Sequence, residues 1–83
     1  MNKDQELNRR IANNEDTVEY VIDNFKIIAT KVIGVSSHED VYYYETEDLQ
    51  SVYTSEFIFL TLEDAKSALI RKCEETIKKY KGE

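Results

Sequence analysis

His38 is the only histidine of the chain and stands beside two carboxylates in "SSHED". An imidazole next to Glu39 and Asp40 could help hold a metal ion, but such a centre needs further nitrogen or sulfur ligands at short spacing. No second histidine or cysteine supplies them, so His38 is expected to be a solvated turn residue. Cys73, the sole cysteine, would need an adjacent base to serve as a nucleophile. It has no histidine neighbour and falls on an apolar stripe, where a thiol is expected to be buried as a small hydrophobe. With 17 Asp and Glu residues any two carboxylates could be nominated as acid and base. Without an accompanying motif that nomination has no specificity. "HEDVYYYETED" lacks the glycine and the oxygen-ligand spacing of a calcium loop, and two glycines cannot build a phosphate cradle. No enzyme, no metal and no cofactor are expected.

What remains is recognition chemistry. Residues 41–53 read "VYYYETEDLQSVY", three tyrosines followed at once by Glu45, Glu47 and Asp48. Tyrosine supplies contact area at low entropic cost, and acids steer a basic partner. On that reading Tyr42, Tyr44, Glu45, Glu47, Asp48 and Glu56 form a contact patch for a basic protein surface. On the plainer reading the tyrosines fill a thin core and reach water with their hydroxyls. Stacking on nucleic-acid bases needs a cationic groove that this region lacks, so direct nucleic-acid binding is not expected.

The charge pattern points the same way. Net charge is -6, yet residues 15–64 hold twelve acids against Lys26 and Lys31, a local -10. Residues 71–83 hold five bases and three acids, a local +2. Such a body repels nucleic-acid backbones and favours basic partners. Mean hydropathy is -0.58 and no long apolar run is present, which predicts no membrane span. The opening "MNKDQELNRR" has no apolar signal core, and an unpaired cysteine suits a reducing cytoplasm.

These residues must be positioned by a single small domain of 83 residues. Residues 1–16 form a polar segment with Leu7 and Ile11 as its apolar pair, a possible short helix over about 3–12 that "ANNED" would end, weakly anchored. Residues 17–83 form the α+β domain proper. "TVEYVID" sets Val18, Tyr20 and Ile22 against Glu19, Val21 and Asp23, the alternation of a half-buried strand. Asp23-Asn24 reads as a turn. "FKIIATKVIGVSS" is β-branched but too long for one strand, with a bulge or bend at Gly34. "SSHED" turns the chain into "VYYYETE", and "VYTSEFIFL" adds one more strand or two short pieces. The expected fold is a curled antiparallel β-meander of about four strands. One C-terminal helix packs it, capped by Thr61, stopped at Gly82, with Leu62, Ala65, Leu69, Cys73, Ile77 and Tyr80 on one stripe across the sheet.

That single helix leaves an apolar second face carrying Ile28 and Val32. Either the sheet curls over it, or a homodimer or a foreign target covers it. The junction "FIFLTLEDAKSAL" resembles the ending of small phage and prophage accessory proteins, which close a β-meander with "FLT-x-E-x-A-x-x-A-L". The matching positions are Phe59, Leu60, Thr61, Glu63, Ala65, Ala68 and Leu69, with Asp64 where those proteins often have a second glutamate; the likeness covers about residues 17–72. The resemblance implies a bacterial host and an inhibitor of host defence, an anti-CRISPR-like protein that occupies a nuclease's nucleic-acid channel as a DNA mimic. Two alternatives compete with it. One is a phage assembly protein that self-associates through Ile28, Val32 and Tyr44. The other is a sponge for a nucleotide signal, using Lys26, Lys31 and the Arg71-Lys72 pair.

Overall fold

Asn2 opens the first helix, α1 (Lys3–Ala12), in a computed structural model that describes residues 2–82. Its side chain accepts from the Gln5 amide at 2.8 Å while the Gln5 side chain accepts from the Asn2 amide at 2.9 Å, a reciprocal capping box. Asn13 closes the helix and Asn14 turns left-handed at φ 50°, so "ANN" ends it as expected. Five strands, a 3-10 turn, one further strand and a second helix follow. They are β1 (Glu19–Asp23), β2 (Lys26–Thr30), β3 (Val32–His38), β4 (Val41–Thr46), β5 (Val52–Tyr53), the turn Ser55–Phe57, β6 (Ile58–Phe59) and α2 (Leu62–Lys81).

The α+β class, antiparallel pairing and C-terminal helix agree with the sequence reading, but the meander is folded more sharply. Six strands form two three-stranded sheets, β2-β1-β6 and β3-β4-β5. The long β-branched run divides because the chain leaves β2 at Thr30 and enters β3 at Val32, with only Lys31 between the sheets. The Lys31 carbonyl at that corner accepts from the Glu47 amide at 2.9 Å. A register shift follows between Val32 and Gly34, at the position where the glycine predicts a bulge. Both hairpins use two-residue loops with positive φ at each position, Asn24 and Phe25 (52° and 62°) and Glu39 and Asp40 (51° and 66°). This backbone matches strand twist, yet neither loop has the usual glycine. The first turn therefore lies one residue beyond Asp23-Asn24.

Two layers bury the apolar groups. Leu7 of α1 meets Val21, Val32, Tyr44 and Ile58, with Ile11, Leu49, Tyr53 and Leu60 packed around them. On the other side of the first sheet α2 packs across β1, β2 and β6, burying Ala65. The second apolar face is thus covered from within, and residues 1–16 supply part of the cover. Leu7 is fully buried, so α1 is a core element rather than a loosely anchored tail. Polar contacts add to its hold: Lys3 Nζ donates to the Ser55 carbonyl at 2.8 Å and lies 4.3 Å from the centre of the Phe59 ring.

The apolar stripe of α2 behaves differently along its length. Ala65 is buried and Ala68 and Leu69 are half-buried, but Cys73, Ile77 and Tyr80 stand exposed. Burial of the Cys73 thiol is therefore corrected: the helix outlasts the sheet, and the thiol sits where no strand lies beneath it.

Candidate binding surface

The tyrosine run separates by strand alternation. Tyr44 points between β4 and α1 and is fully buried, its hydroxyl donating to Asp4 Oδ1 at 2.7 Å. Burial raises the phenol's pKa well above its ordinary range, and the Asp4 carboxylate that accepts its hydrogen bond reinforces the shift. Tyr44 is accordingly a core residue joining α1 to the second sheet, and its assignment to a contact patch is overturned. Tyr42, two residues away on the same face, keeps 43% of its surface open and tilts against Tyr44 at 6.4 Å between ring centres. It forms the exposed edge of a tyrosine pair. Val32 is buried as well, so the proposed self-association face of Ile28, Val32 and Tyr44 lies largely inside the domain.

The carboxylates fall into two sets. Glu19 is 1% exposed and holds three elements together: it accepts from Arg10 Nη1 at 2.8 Å, Thr17 Oγ1 at 2.6 Å and the Val32 amide at 2.8 Å. Such a group is tolerated in the core only because its lone pairs are occupied. Glu6 bridges Arg10, 2.9 Å from its Nε, to Arg9, which also meets Glu15. Hydrogen bonds from Arg9 and then Arg10 hold the Glu6 carboxyl down at about 2. Both arginines of the N-terminal segment are thereby paired within the chain, Arg9 at the surface and Arg10 partly buried. Glu19 and Arg10 carry no motif, and only the i,i+4 spacing of Glu6 and Arg10 hinted at the network.

The second set faces solvent. Between Val32 and Ile58 there is no lysine or arginine, while Glu39, Asp40, Glu45, Glu47, Asp48 and Glu56 give a local -6. All six are exposed. Among the described residues the only ion pair any of them makes is Glu39 with His38 at 3.8 Å, which requires a protonated imidazole. His38 is exposed as expected, but it closes β3 opposite Val41, and the turn itself is Glu39-Asp40.

These acids do not form one patch. Glu45 lies on the outer face of β4 in a groove of about 170 Å³ with Tyr43, Ser36 and Val52, and its carboxylate comes 3.1 Å from where a Cβ on Gly34 would sit. Glu47 and Asp48 line an open cleft of about 310 Å³ with Lys31 and Asp16, the latter missed by the sequence reading. Asp48 Oδ2 accepts from Thr30 Oγ1 at 3.2 Å, which fixes the cleft wall. Glu56 sits apart on the 3-10 turn, where Thr54 Oγ1 donates to it at 3.2 Å. Two of the nucleotide-sponge bases are engaged in different settings. Lys31 shares its cleft with three carboxylates, and Lys72 lies over the Phe25 and Phe57 rings at 5.6 and 5.3 Å.

Among the described residues, no group of three or more His, Cys, Asp or Glu side chains is arranged to hold a metal ion, and no helix is long and apolar enough to cross a membrane. No protein-family profile, curated protein or solved structure matches the chain.

Proposed function

We propose that this chain is a non-catalytic binding protein whose second sheet and its flanking loops dock on a basic protein surface. The specific target we propose is the nucleic-acid-binding surface of a bacterial defence nuclease, with the protein acting as a phage-type inhibitor in the host cytoplasm. One observation carries the reading: from Val32 to Ile58 six carboxylates are exposed and no lysine or arginine is present. A fixed array of carboxylates attracts the same cationic groups that bind phosphates, and steers association over about a Debye length, ~8 Å at physiological salt. Rigidity supports it, since β4 is pinned by Tyr44 to α1 and Asp48 is tied to Thr30. Tyr42 adds an exposed aromatic at the same strand. The resemblance of "FIFLTLEDAKSAL" to phage accessory proteins supports the setting. The free, exposed Cys73 thiol suits a reducing compartment.

The test is capture from bacterial lysate by wild type and by a Glu45→Lys/Glu47→Lys variant, whose changes are on exposed side chains and leave the Asp48–Thr30 tie in place. A nucleic-acid-binding protein should be retained by the wild type, released as salt rises, displaced by added DNA, and lost with the variant. Retention that survives both high salt and the variant would sink the acidic-sheet reading.

A further inference from the structure

The outer half of α2 carries a second surface that the acidic sheet does not use. Lys72 reaches back from α2 to the body, over the Phe25 and Phe57 rings. Beyond it, from Cys73 to Gly82, every residue except the half-buried Thr76 is exposed. The nine helical residues Cys73–Lys81 project about 14 Å, which helps explain a molecule 46 Å long but only 28 and 27 Å across. On that projection and its root lie Ile70, Cys73, Ile77 and Tyr80, spaced 3-4-3, with Ile70, Ile77 and Tyr80 59%, 53% and 79% exposed. An apolar spacing of 3.5 residues is the seam of helices that pair with one another, knob into hole. This stripe continues the one that buries Ala65 and half-buries Leu69, and it stays apolar where no strand lies beneath it to cover it.

We infer that α2 pairs with α2 of a second copy of this chain, antiparallel, through Ile70, Cys73, Ile77 and Tyr80. The charge distribution selects both occupant and direction. Each tip belongs to the +2 segment 71–83, and each body to the -10 segment 15–64. Antiparallel pairing brings each tip toward the other copy's body, whereas parallel pairing would set two acidic bodies side by side. Opposed macrodipoles favour the same direction. With Ile70 opposite Tyr80 and Cys73 opposite Ile77, the two Glu74 side chains flank the centre, the one like-charge contact of this register. This surface is distinct from the Ile28, Val32 and Tyr44 face, which the fold buries.

Sedimentation of the reduced protein over roughly 5 to 500 µM tests the inference, since self-association follows mass action. The wild type should shift from monomer to dimer within that range. Ile77→Lys, placed beyond the sheet, should keep its helical spectrum and raise the dissociation constant at least ~10-fold. Glu74→Gln should lower it, because the central repulsion is specific to antiparallel pairing. A wild type that stays monomeric throughout overturns the proposal, as does a dimer indifferent to Ile77→Lys. A dimer weakened by Ile77→Lys but not tightened by Glu74→Gln overturns the antiparallel register.

Discussion

Among single residues, Glu6 shows how the acids divide between structure and surface. Its carboxyl is lowered from 4.5 to about 2, first by the Arg9 hydrogen bond and then by that of Arg10. A depressed carboxylate stabilises the folded state fully above its unfolded pKa, and that contribution is lost as pH falls through the folded value. For Glu6 the window runs from 4.5 down to about 2. A Glu6→Gln variant should therefore melt lower than wild type at neutral pH, and the two melting temperatures should converge as pH drops through that window. Parallel curves down to the acid end would show that the Arg9–Glu6–Arg10 bridge contributes nothing. Tyr44 illustrates why residue type alone misleads. In sequence it is the third of three alike, and only the pairing of β4 with β3 and the cover from α1 decide that it is buried while Tyr42 is not.

For the elements, the helices were the most legible because their ends carry local chemistry. Thr61 caps α2, accepting from the Asp64 amide at 3.2 Å, as "TLED" predicts. The α1 helix was only a possibility in the sequence, but where it formed, "ANNED" ended it, at Asn13. Anchorage of α1 was not legible, because Leu7 meets partners far along the chain and the polar contacts that add to its hold, Asp4 to Tyr44 and Lys3 to Ser55, are equally distant in sequence. Strand identity followed from β-branched alternation, but the corner at Lys31 has no sequence mark of its own. The hairpins hold a testable strain. Glu39 and Asp40 both adopt positive φ, which costs an L-residue roughly 1–2 kcal/mol, less for Asp. Asp40→Gly should recover about 0.5–1 kcal/mol net of glycine's greater unfolded-state freedom, raising the melting temperature by a few degrees. The Asp40 side chain is exposed and makes no ion pair among the described residues, so little else changes. A lower melting temperature would mean that its side chain supports the turn in a way the backbone argument omits.

For the whole molecule, the balance lies between the paired charges that tie α1 to the body and the unpaired acids of the second sheet and its loops. The acidic sheet was legible as the base-free run from Val32 to Ile58, whereas its division into a groove, a cleft and an isolated Glu56 depends on the fold. Adding salt acts on both populations, in opposite directions. It weakens the Arg9 and Arg10 bridges, but those are contact pairs, and the Glu19 end is buried where counterions do not reach. It also relieves repulsion among Glu39, Asp40, Glu45, Glu47 and Asp48, which act on each other through solvent and are screened more completely. The second effect should win. Raising salt from roughly 0.05 M to roughly 0.5 M shortens the Debye length from about 14 Å to about 4 Å, and the melting temperature should rise by a few degrees. Glu45→Lys/Glu47→Lys removes much of the repulsion in advance, so its melting temperature should start higher and respond less. If salt instead lowers the wild-type melting temperature, the α1 bridges dominate the molecule's electrostatics, and the exposed acids lie too far apart to act as one field.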